Sequence, residues 1–417
     1  MARNIGVSTC ADSGSGSLRA AVGMALDGDI IDLGGLTCST ITLTTGALVT
    51  TASNLTIAGP FQVPPAITID GGRLAGHYDR ILLSIGKGLS LQNVALANAK
   101  YRSAQTPHGG CVATSGGLTM INVSLDNCEV LSTDAAVPAK GGAAVAGDTA
   151  ILSGVVARNN TAISPGRAYG GAVFAYGSFF AGYSTFRGNE AYSSGGALTV
   201  GGAIYGVVGD KVELSMSTLS GNRAVNGAAL ALATVVPNPQ YFSSILESTI
   251  AGNISDSGAA IHTHAPLAIG DSTIAFNTTL HNNGYPAGLF SDGNLLKLYS
   301  TIAANNVTAD FDFDVDSASP IVGTNNLITA AINVPPGTLS TCPRLSRLGD
   351  YGGPTQTIAL LSGSPAIDAG IDATGSLRDQ RNRTRTAGAA TDIGAFERQV
   401  GEVLDPLFRS TFDSRCE

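Results

Sequence analysis

The residues best suited to chemistry are two histidines, His262 and His264, separated by one residue in a segment of small and β-branched residues. Successive side chains of a β-strand point to opposite faces, so this spacing places both imidazoles on one face. Imidazole transfers protons readily near neutral pH. Tyr205 occupies the position of His262 in an earlier copy of the same sequence pattern. If the protein is an enzyme, we predict His262, His264 and Tyr205 as its catalytic residues.

Further aromatic and ionisable side chains fall on the same predicted face or in the segments of variable length that lead into it. A solenoid that varies its loops on one flank and places rings and charges there is typical of a binding groove. Such a groove suits an extended polysaccharide, because flat rings can stack on sugar faces. The predicted substrate-binding residues are Phe174, Tyr176, Tyr101, Arg102, His108, Lys140, Arg167, Tyr169, Glu190, Tyr192, His281 and Tyr285.

The same residues have a second interpretation without a ligand. Phe174, Tyr176 and Tyr205 would then pack beneath the overlying segments, and the two histidines would be surface residues. In β-helix polysaccharide lyases a Tyr, His, Lys or Arg removes the proton next to a uronate carboxylate that a cation or Ca²⁺ neutralises. The residue types fit that reaction, but no spacing here identifies it. Both interpretations stay open at this point.

A run of alternating carboxylates is the candidate metal site. Asp310, Asp312, Asp314 and Asp316 alternate with apolar residues, which on a strand places four carboxylates on one face. Ca²⁺ binds through several oxygen ligands and would relieve their repulsion, so we consider Ca²⁺ at Asp310, Asp312 and Asp314. The alternative is a solvated edge strand protected by its charge. No other cofactor is required, and no serine-hydrolase elbow, zincin motif or phosphate loop occurs in the sequence.

The elements that must position these residues are seven copies of a repeat. Each copy begins with small residues, such as Gly258-Ala259, and reaches a bend asparagine roughly 18 to 26 residues later. Such a unit, rich in Gly, Asn and β-branched residues, predicts a right-handed parallel β-helix of about ten coils. Asparagine tolerates left-handed backbone angles, and stacked copies can hydrogen-bond to one another. The asparagines assigned to this ladder are Asn127, Asn159, Asn189, Asn222, Asn253, Asn277 and Asn305.

Strand alternation predicts which residues of each copy face inward. Counting from the first small residue, the fourth position is apolar and is predicted to lie in the core, while the fifth and seventh face outward. The predicted inward residues are Val112, Ala144, Val173, Ile204, Leu230, Ile261 and Phe290.

The chain ends are predicted to close the solenoid. Residues 15–27 form an amphipathic helix with Ser17 as N-cap and with Leu18, Ala21, Val22 and Leu26 on its apolar face. Such a lid covers strand edges that would otherwise associate. We predict one continuous domain comprising an N-terminal cap (1–28), a parallel β-helix (29–340) and C-terminal coils with a capping tail (341–417).

Composition limits the partners. The 417 residues include 53 Gly and no Trp, are 13% charged and carry a net charge of −8, which disfavours nucleic-acid binding. No apolar stretch is long enough for a transmembrane helix, and we expect a monomer. Six cysteines without metal-ligand spacing favour disulfides and an oxidising compartment. Sequence order suggests the pairs Cys10 with Cys38, Cys111 with Cys128, and Cys342 with Cys416.

Two ends of the chain carry a family resemblance. Segments 349–355, 363–370, 379–381 and 392–397 read GDYGGPT, GSPAIDAG, DQR and DIGAFE. This string closely resembles the C-terminal region of the bacterial choice-of-anchor Q proteins, and DSGSGSLR at 12–19 resembles the N-terminal cap of that family. The repeats between them are similar to those of polymorphic outer-membrane proteins. The resemblance implies an exported β-helix protein without implying a reaction. We read the C-terminal charges Asp368, Asp379, Arg381, Asp392 and Glu397 as structural residues that satisfy turn backbone groups.

These observations predict a secreted, periplasmic or cell-surface β-helix protein. The start Met1-Ala2-Arg3 is not followed by an apolar segment, so we expect that a signal peptide has been removed. The predicted function is to bind, and by lyase or glycoside hydrolase chemistry to cleave, an extracellular polysaccharide in a groove along one face. The alternative is a non-catalytic surface adhesin or structural stalk.

Overall fold

A computed structural model describes residues 2–73, 76–208, 211–234, 242–281, 284–292, 295–309, 311–372, 374–402 and 404. The chain forms a parallel β-solenoid of about 11 turns, with one α-helix among the described residues, which confirms the predicted β-helix. It divides into two compact units. The N-terminal unit contains Met1–Phe180 and Phe186–Gly209, and the C-terminal unit contains Ala181–Thr185 and Asp210–Glu417.

The N-terminal unit is built from three long parallel sheets and two short ones. The first sheet contains Asn4–Gly6, Ile30–Asp32, Leu55–Ala58, Gly88–Gln92, Gly117–Ile121 and Ala150–Ser153. The second contains Thr40–Thr42, Ile67–Asp70, Val94–Ala97, Ser124–Asp126 and Val156–Arg158. The third contains Leu48–Thr50, Leu82–Ser84, Val112–Thr114, Ala144–Ala146, Val173–Ala175 and Ile204–Val208. The fourth contains Lys100–Ser103, Glu129–Ser132, Thr161–Ser164 and Glu190–Ser193, and the fifth contains Ala139–Lys140, Ala168–Tyr169 and Thr199–Val200.

The C-terminal unit repeats the first four sheets and ends in an antiparallel pair of strands, Leu345–Gly349 and Thr357–Leu360. Its first-sheet strands are Val212–Ser215, Ser243–Leu246, Leu267–Gly270, Leu296–Tyr299 and Ile321–Thr324. Its second-sheet strands are Thr218–Ser220, Thr249–Ala251, Thr273–Ala275, Ile302–Ala304 and Leu327–Ile328. Its third-sheet strands are Leu230–Thr234, Ile261–Thr263, Leu289–Ser291 and Val315–Ser317, and its fourth-sheet strands are Arg223–Ala224, Ile254–Ser255 and Thr278–Thr279. The strands Phe179–Gly182 and Thr185–Arg187 belong partly to each unit.

The predicted inward position of the third sheet lies in the core, with one correction. Leu230, Ile261 and Leu289 are buried and pair in register. Phe290, which was predicted to be inward, instead aligns with His262 on the outer side. The cause is an offset of one residue, because the small residues of this copy begin later relative to its strand than in the other copies. A one-residue shift moves every following side chain to the opposite face.

The asparagine prediction combined two neighbouring positions of the turn. Asn127, Asn159 and Asn305 adopt positive φ angles of 55°, 54° and 58° and form the bend itself. The hydrogen-bonded ladder is formed by the next residue of each turn. In the N-terminal unit, Asn160 Nδ2 donates to Asn189 Oδ1 at 2.9 Å. The ladder of the C-terminal unit comprises Asn222, Asn253, Asn277 and Asn306, with amide-to-amide distances of 2.8 to 2.9 Å.

The N-terminal helix is shorter than predicted. It spans Leu18–Met24, and the Ser17 hydroxyl accepts a hydrogen bond from the Ala20 N–H, as expected for an N-cap. Leu18 is buried, but Leu26 is 62% exposed because the helix ends before it. The described helix is not long and apolar enough to cross a membrane.

The oxidised cysteines agree with the predicted pairing where it can be compared. Disulfides join Cys10 to Cys38 and Cys111 to Cys128. Cys342 is also disulfide-bonded, while its predicted partner Cys416 lies outside the described residues.

The C-terminal charges form the structural network that the sequence predicts. Arg381 is buried and contacts Asp379 Oδ2 at 2.9 Å and Glu402 Oε1 at 2.7 Å. Glu397 accepts hydrogen bonds from the Asp392 and Ala387 N–H groups. Buried charges that are paired in this way hold irregular backbone in place.

Candidate functional site

The outer side of the third sheet carries an aromatic cluster in the N-terminal unit, comprising Tyr169, Phe174, Tyr176 and Tyr205. Phe174 and Tyr205 occupy equivalent positions of neighbouring turns, so their rings stack with centroids 5.3 Å apart. Tyr169 comes from the fifth sheet, and its ring lies 4.9 Å from that of Tyr205. The fifth sheet immediately precedes the turn into the third, and its side chains therefore cover the outer side of the third sheet.

Burial affects two members of the aromatic cluster, Phe174 and Tyr205. Phe174 is only 2% exposed, since Tyr169 and Tyr176 pack against it, so the packing interpretation holds for this residue. Burial, followed by the proximity of Tyr169, raises the pKa of Tyr205 to about 12. A phenol with such a pKa stays protonated at neutral pH. This pKa does not favour Tyr205 as a general base at neutral pH, and its catalytic role stays a prediction.

Tyr176 is the most exposed member of the aromatic cluster, and Lys140 lies beside it. The Tyr176 side chain is 39% exposed, and its ring meets Phe174 edge-on at 4.6 Å. Lys140 Nζ donates to the Tyr176 hydroxyl at 2.6 Å and lies 5.0 Å from the centroid of the Tyr176 ring. This geometry fixes an exposed ring beside a positive charge. Lys140 reaches it because it pairs in register with Tyr169 in the fifth sheet.

Two other predicted ligand residues lie next to this pair. His108 forms a parallel bridge with Lys140. Burial, then the charges of Lys140 and Arg80, lowers the pKa of His108 to about 4, so its imidazole is neutral at pH 7. Arg167 is exposed, and its positive charge partly offsets the rise in the pKa of Tyr205. The structure thus brings His108, Lys140 and Arg167 to the aromatic cluster.

Four further predicted ligand residues belong to the fourth sheet of the N-terminal unit, which the sequence analysis treated as variable loops. They are Tyr101, Arg102, Glu190 and Tyr192. Arg80 stacks on the Tyr101 ring, with Cζ 3.7 Å from the centroid. Arg102 and Tyr192 are exposed and occupy the same position along this sheet.

The second candidate site lies in the C-terminal unit and combines His262 and His264 with Asp292. The rings of His262 and His264 are 4.8 Å apart, which confirms that they share one face. His264 Nδ1 lies 2.6 Å from Asp292 Oδ1, and His262 Nε2 lies 3.5 Å from Asp292 Oδ2. Burial, followed by repulsion from His264, lowers the pKa of His262, although Asp292 opposes the shift.

Asp292 was missed by the sequence analysis. Register pairs Ile261, His262 and Thr263 with the residues from Leu289 to Ser291, so Asp292 follows the strand as His264 follows its own. The signal was present in the sequence. Assigning Leu289 rather than Phe290 to the inward position would have placed Asp292 beside His264.

The remaining predicted ligand residues of this unit are Tyr285 and His281, and Tyr285 approaches the histidines through Phe290. The Tyr285 ring is 39% exposed and meets Phe290 edge-on at 4.7 Å. Phe290 lies 5.4 Å from the ring of His262. His281 is exposed, and its Nδ1 lies 2.8 Å from the backbone oxygen of Asp256.

Among the described residues of the predicted carboxylate strand, Asp312 and Asp314 precede the observed strand Val315–Ser317. The strand begins only at Val315, and Asp314 is fully buried. Asp314 Oδ1 accepts hydrogen bonds from the N–H and the Nδ2 of Asn306, and its Oδ2 accepts from Thr329 and Ala330. Asp314 thus terminates the asparagine ladder, where an acceptor is required. Asp310 lies outside the described residues, and the Ca²⁺ site stays a prediction.

Comparison with known proteins adds information on the fold. No family model matches the chain, and no curated protein matches it. Among solved structures, the crystal structure of pectate lyase Pel9A is similar with a TM-score of 0.53 and 14% sequence identity. The similarity covers 95% of this chain and 96% of the pectate lyase chain. At this identity the similarity establishes a shared β-helix fold.

Proposed function

We propose that this protein is an exported β-helix protein that binds an acidic polysaccharide at the aromatic cluster of its N-terminal unit. The observation that carries the proposal is the exposed Tyr176 ring, held by Phe174 and by Lys140 Nζ 2.6 Å from its hydroxyl. A ring already held in place loses little conformational freedom when a ligand binds. The adjacent ammonium group selects for a carboxylated sugar.

Three observations support the exported location and the class of ligand in this proposal. The disulfides fit an oxidising compartment outside the cytosol. The C-terminal segments resemble those of the exported choice-of-anchor Q proteins. The fold is shared with a pectate lyase, a protein named for its action on an acidic polysaccharide.

Binding is better supported than cleavage at the aromatic cluster. The raised pKa of Tyr205 and the lowered pKa of His108 leave both groups far from the value that suits a general base at neutral pH. We therefore propose binding as the activity of the cluster, as expected of an adhesin.

Titration calorimetry with oligouronates and with neutral oligosaccharides of the same length tests the proposal. We expect oligouronates to bind, and Tyr176→Ala or Lys140→Met to weaken binding by about 1–3 kcal/mol, or roughly 5- to 150-fold. Phe61→Ala is the matched control, because Phe61 is 83% exposed but lies in the connection between the first and second sheets. If Tyr176→Ala and Lys140→Met bind oligouronates as tightly as Phe61→Ala does, the ligand does not bind at the aromatic cluster. If no oligouronate binds the wild type, the proposal is rejected.

A parallel assay separates binding from turnover. Lyase products absorb ultraviolet light through their new double bond, and hydrolase products add reducing ends. If the aromatic cluster binds the polysaccharide without cleaving it, we expect neither ultraviolet absorbance nor new reducing ends. Sustained turnover that Tyr176→Ala abolishes would contradict the assignment as a non-catalytic binding site.

A further inference from the structure

A group of three potential metal ligands lies on the outer side of the third sheet in the C-terminal unit. It consists of His262, His264 and Asp292, and each contributes one nitrogen or carboxylate oxygen. All three ligand atoms lie within 4.8 Å of one another, and among the described residues this is the one such group. His264 Nδ1 already lies 2.6 Å from Asp292 Oδ1, and His262 Nε2 lies 3.5 Å from Asp292 Oδ2.

Unsatisfied polar atoms provide an independent observation. Among the described residues, His262 Nε2 and Asp292 Oδ1 are buried atoms without a hydrogen bond, although His264 Nδ1 lies 2.6 Å from Asp292 Oδ1. Buried polar atoms normally have a partner, because burial without one is unfavourable. A cation placed between the two imidazoles and the carboxylate would satisfy both atoms at once.

We propose that His262, His264 and Asp292 bind a zinc ion. Zinc prefers four ligands at about 2.0–2.2 Å, which separates neighbouring ligand atoms by about 3.3 Å in a tetrahedral site. The distances of 2.6 Å to Asp292 Oδ1 and 3.5 Å to Asp292 Oδ2 lie on either side of this value. A zinc ion would therefore require the three side chains to adjust so that one carboxylate oxygen and both imidazole nitrogens reach the tetrahedral spacing. Ca²⁺ is a poor alternative, since it selects oxygen ligands, whereas imidazole favours transition metals.

The proposed site leaves a coordination position open. Three protein ligands are typical of zinc sites that also bind water or a ligand group, whereas structural zinc sites usually have four protein ligands. Half of the His264 side chain is exposed, at 51%, so solvent can reach the group. A carboxylate or hydroxyl group of a ligand can occupy this position. The inference is independent of the proposed polysaccharide binding, which concerns residues of the other unit.

Zinc titration of the whole protein, after chelator treatment and dialysis, tests the inference. We expect one zinc per chain with a Kd of about 10 µM or lower, little binding of Ca²⁺, and a higher unfolding temperature in the presence of zinc. His262→Ala, His264→Ala and Asp292→Asn should each weaken binding at least tenfold. His281→Ala is the matched control, an exposed histidine of the same unit whose Nδ1 contacts Asp256.

Cobalt absorption provides a readout that does not depend on stability. We expect Co²⁺ bound to the wild type and to His281→Ala to show visible bands, and the bands to disappear in Asp292→Asn, which preserves side-chain size. Zinc binding that is unchanged in His264→Ala and Asp292→Asn, or undetectable up to about 100 µM in the folded wild type, would overturn the inference. Neither readout uses a polysaccharide, so failure here is distinguishable from failure of the proposed function.

Discussion

Replacing Asn277 by Ala tests whether the buried asparagine ladder holds successive turns of the C-terminal unit together. Asn277 Oδ1 accepts hydrogen bonds from the Asn253 N–H at 3.0 Å and from Asn253 Nδ2 at 2.9 Å. Its own Nδ2 donates to Asn306 Oδ1 and to the Ile250 carbonyl. All of these groups lie away from solvent, so water cannot replace the lost amide without a rearrangement of the turn.

The expected loss in the free energy of unfolding follows from the number of buried groups that lose their hydrogen-bond partner. In Asn277→Ala the backbone N–H of Asn253 and one hydrogen of its Nδ2 lose their acceptor. Each buried donor without a partner costs about 1–3 kcal/mol, so we expect a loss of about 2–6 kcal/mol. For a folded unit of roughly 200 residues, 1 kcal/mol changes the unfolding temperature by about 2–4 °C. The variant should therefore unfold at least about 4 °C below the wild type.

The control is Asn305→Gly, at a residue that the sequence pattern assigns to the same ladder. Asn305 adopts a φ of 58°, which glycine tolerates, and its Nδ2 is buried without a hydrogen-bond partner among the residues that the structure describes. We expect a change below about 1 kcal/mol. Thermal unfolding followed by circular dichroism measures both variants. If Asn277→Ala is as stable as the wild type, or if Asn305→Gly loses more stability than Asn277→Ala, the ladder assignment is wrong.

Three further predictions concern the core, the buried acid and the cysteines. Ile261→Ala should cost about 2–5 kcal/mol in urea unfolding through a core cavity, and a loss below about 1 kcal/mol would contradict its inward position. Burial raises the pKa of Asp314 to about 6. Because this value exceeds that of the unfolded chain, stability should fall by about 3 kcal/mol in total as pH rises from below about 3 to above about 7. Asp314→Asn should remove that component, and an identical pH profile would refute it. Non-reducing peptide maps should recover three disulfides, and six alkylatable thiols in the folded protein would remove the argument for export. The predicted pairs are Cys10–Cys38, Cys111–Cys128 and Cys342–Cys416.

The parallel β-helix followed from the sequence because its determinants are local and recur along the chain. Small residues at each turn, apolar residues at alternate strand positions and asparagine or glycine at the bends all repeat with a similar spacing. The N-cap role of Ser17 is similarly encoded by its immediate neighbours. The pairing of His262 and His264 on one face needed only the two-residue period of a strand.

Tertiary structure decided the contacts of the candidate sites. Phe174 is buried because Tyr169 and Tyr176 cover it, and no local rule predicts that covering. Asp292 reaches His264 through the register between turns, which a one-residue error in the sequence assignment had concealed. The physical reason is that strand side chains alternate, so the choice of face depends on an alignment that only the packed neighbouring turn determines.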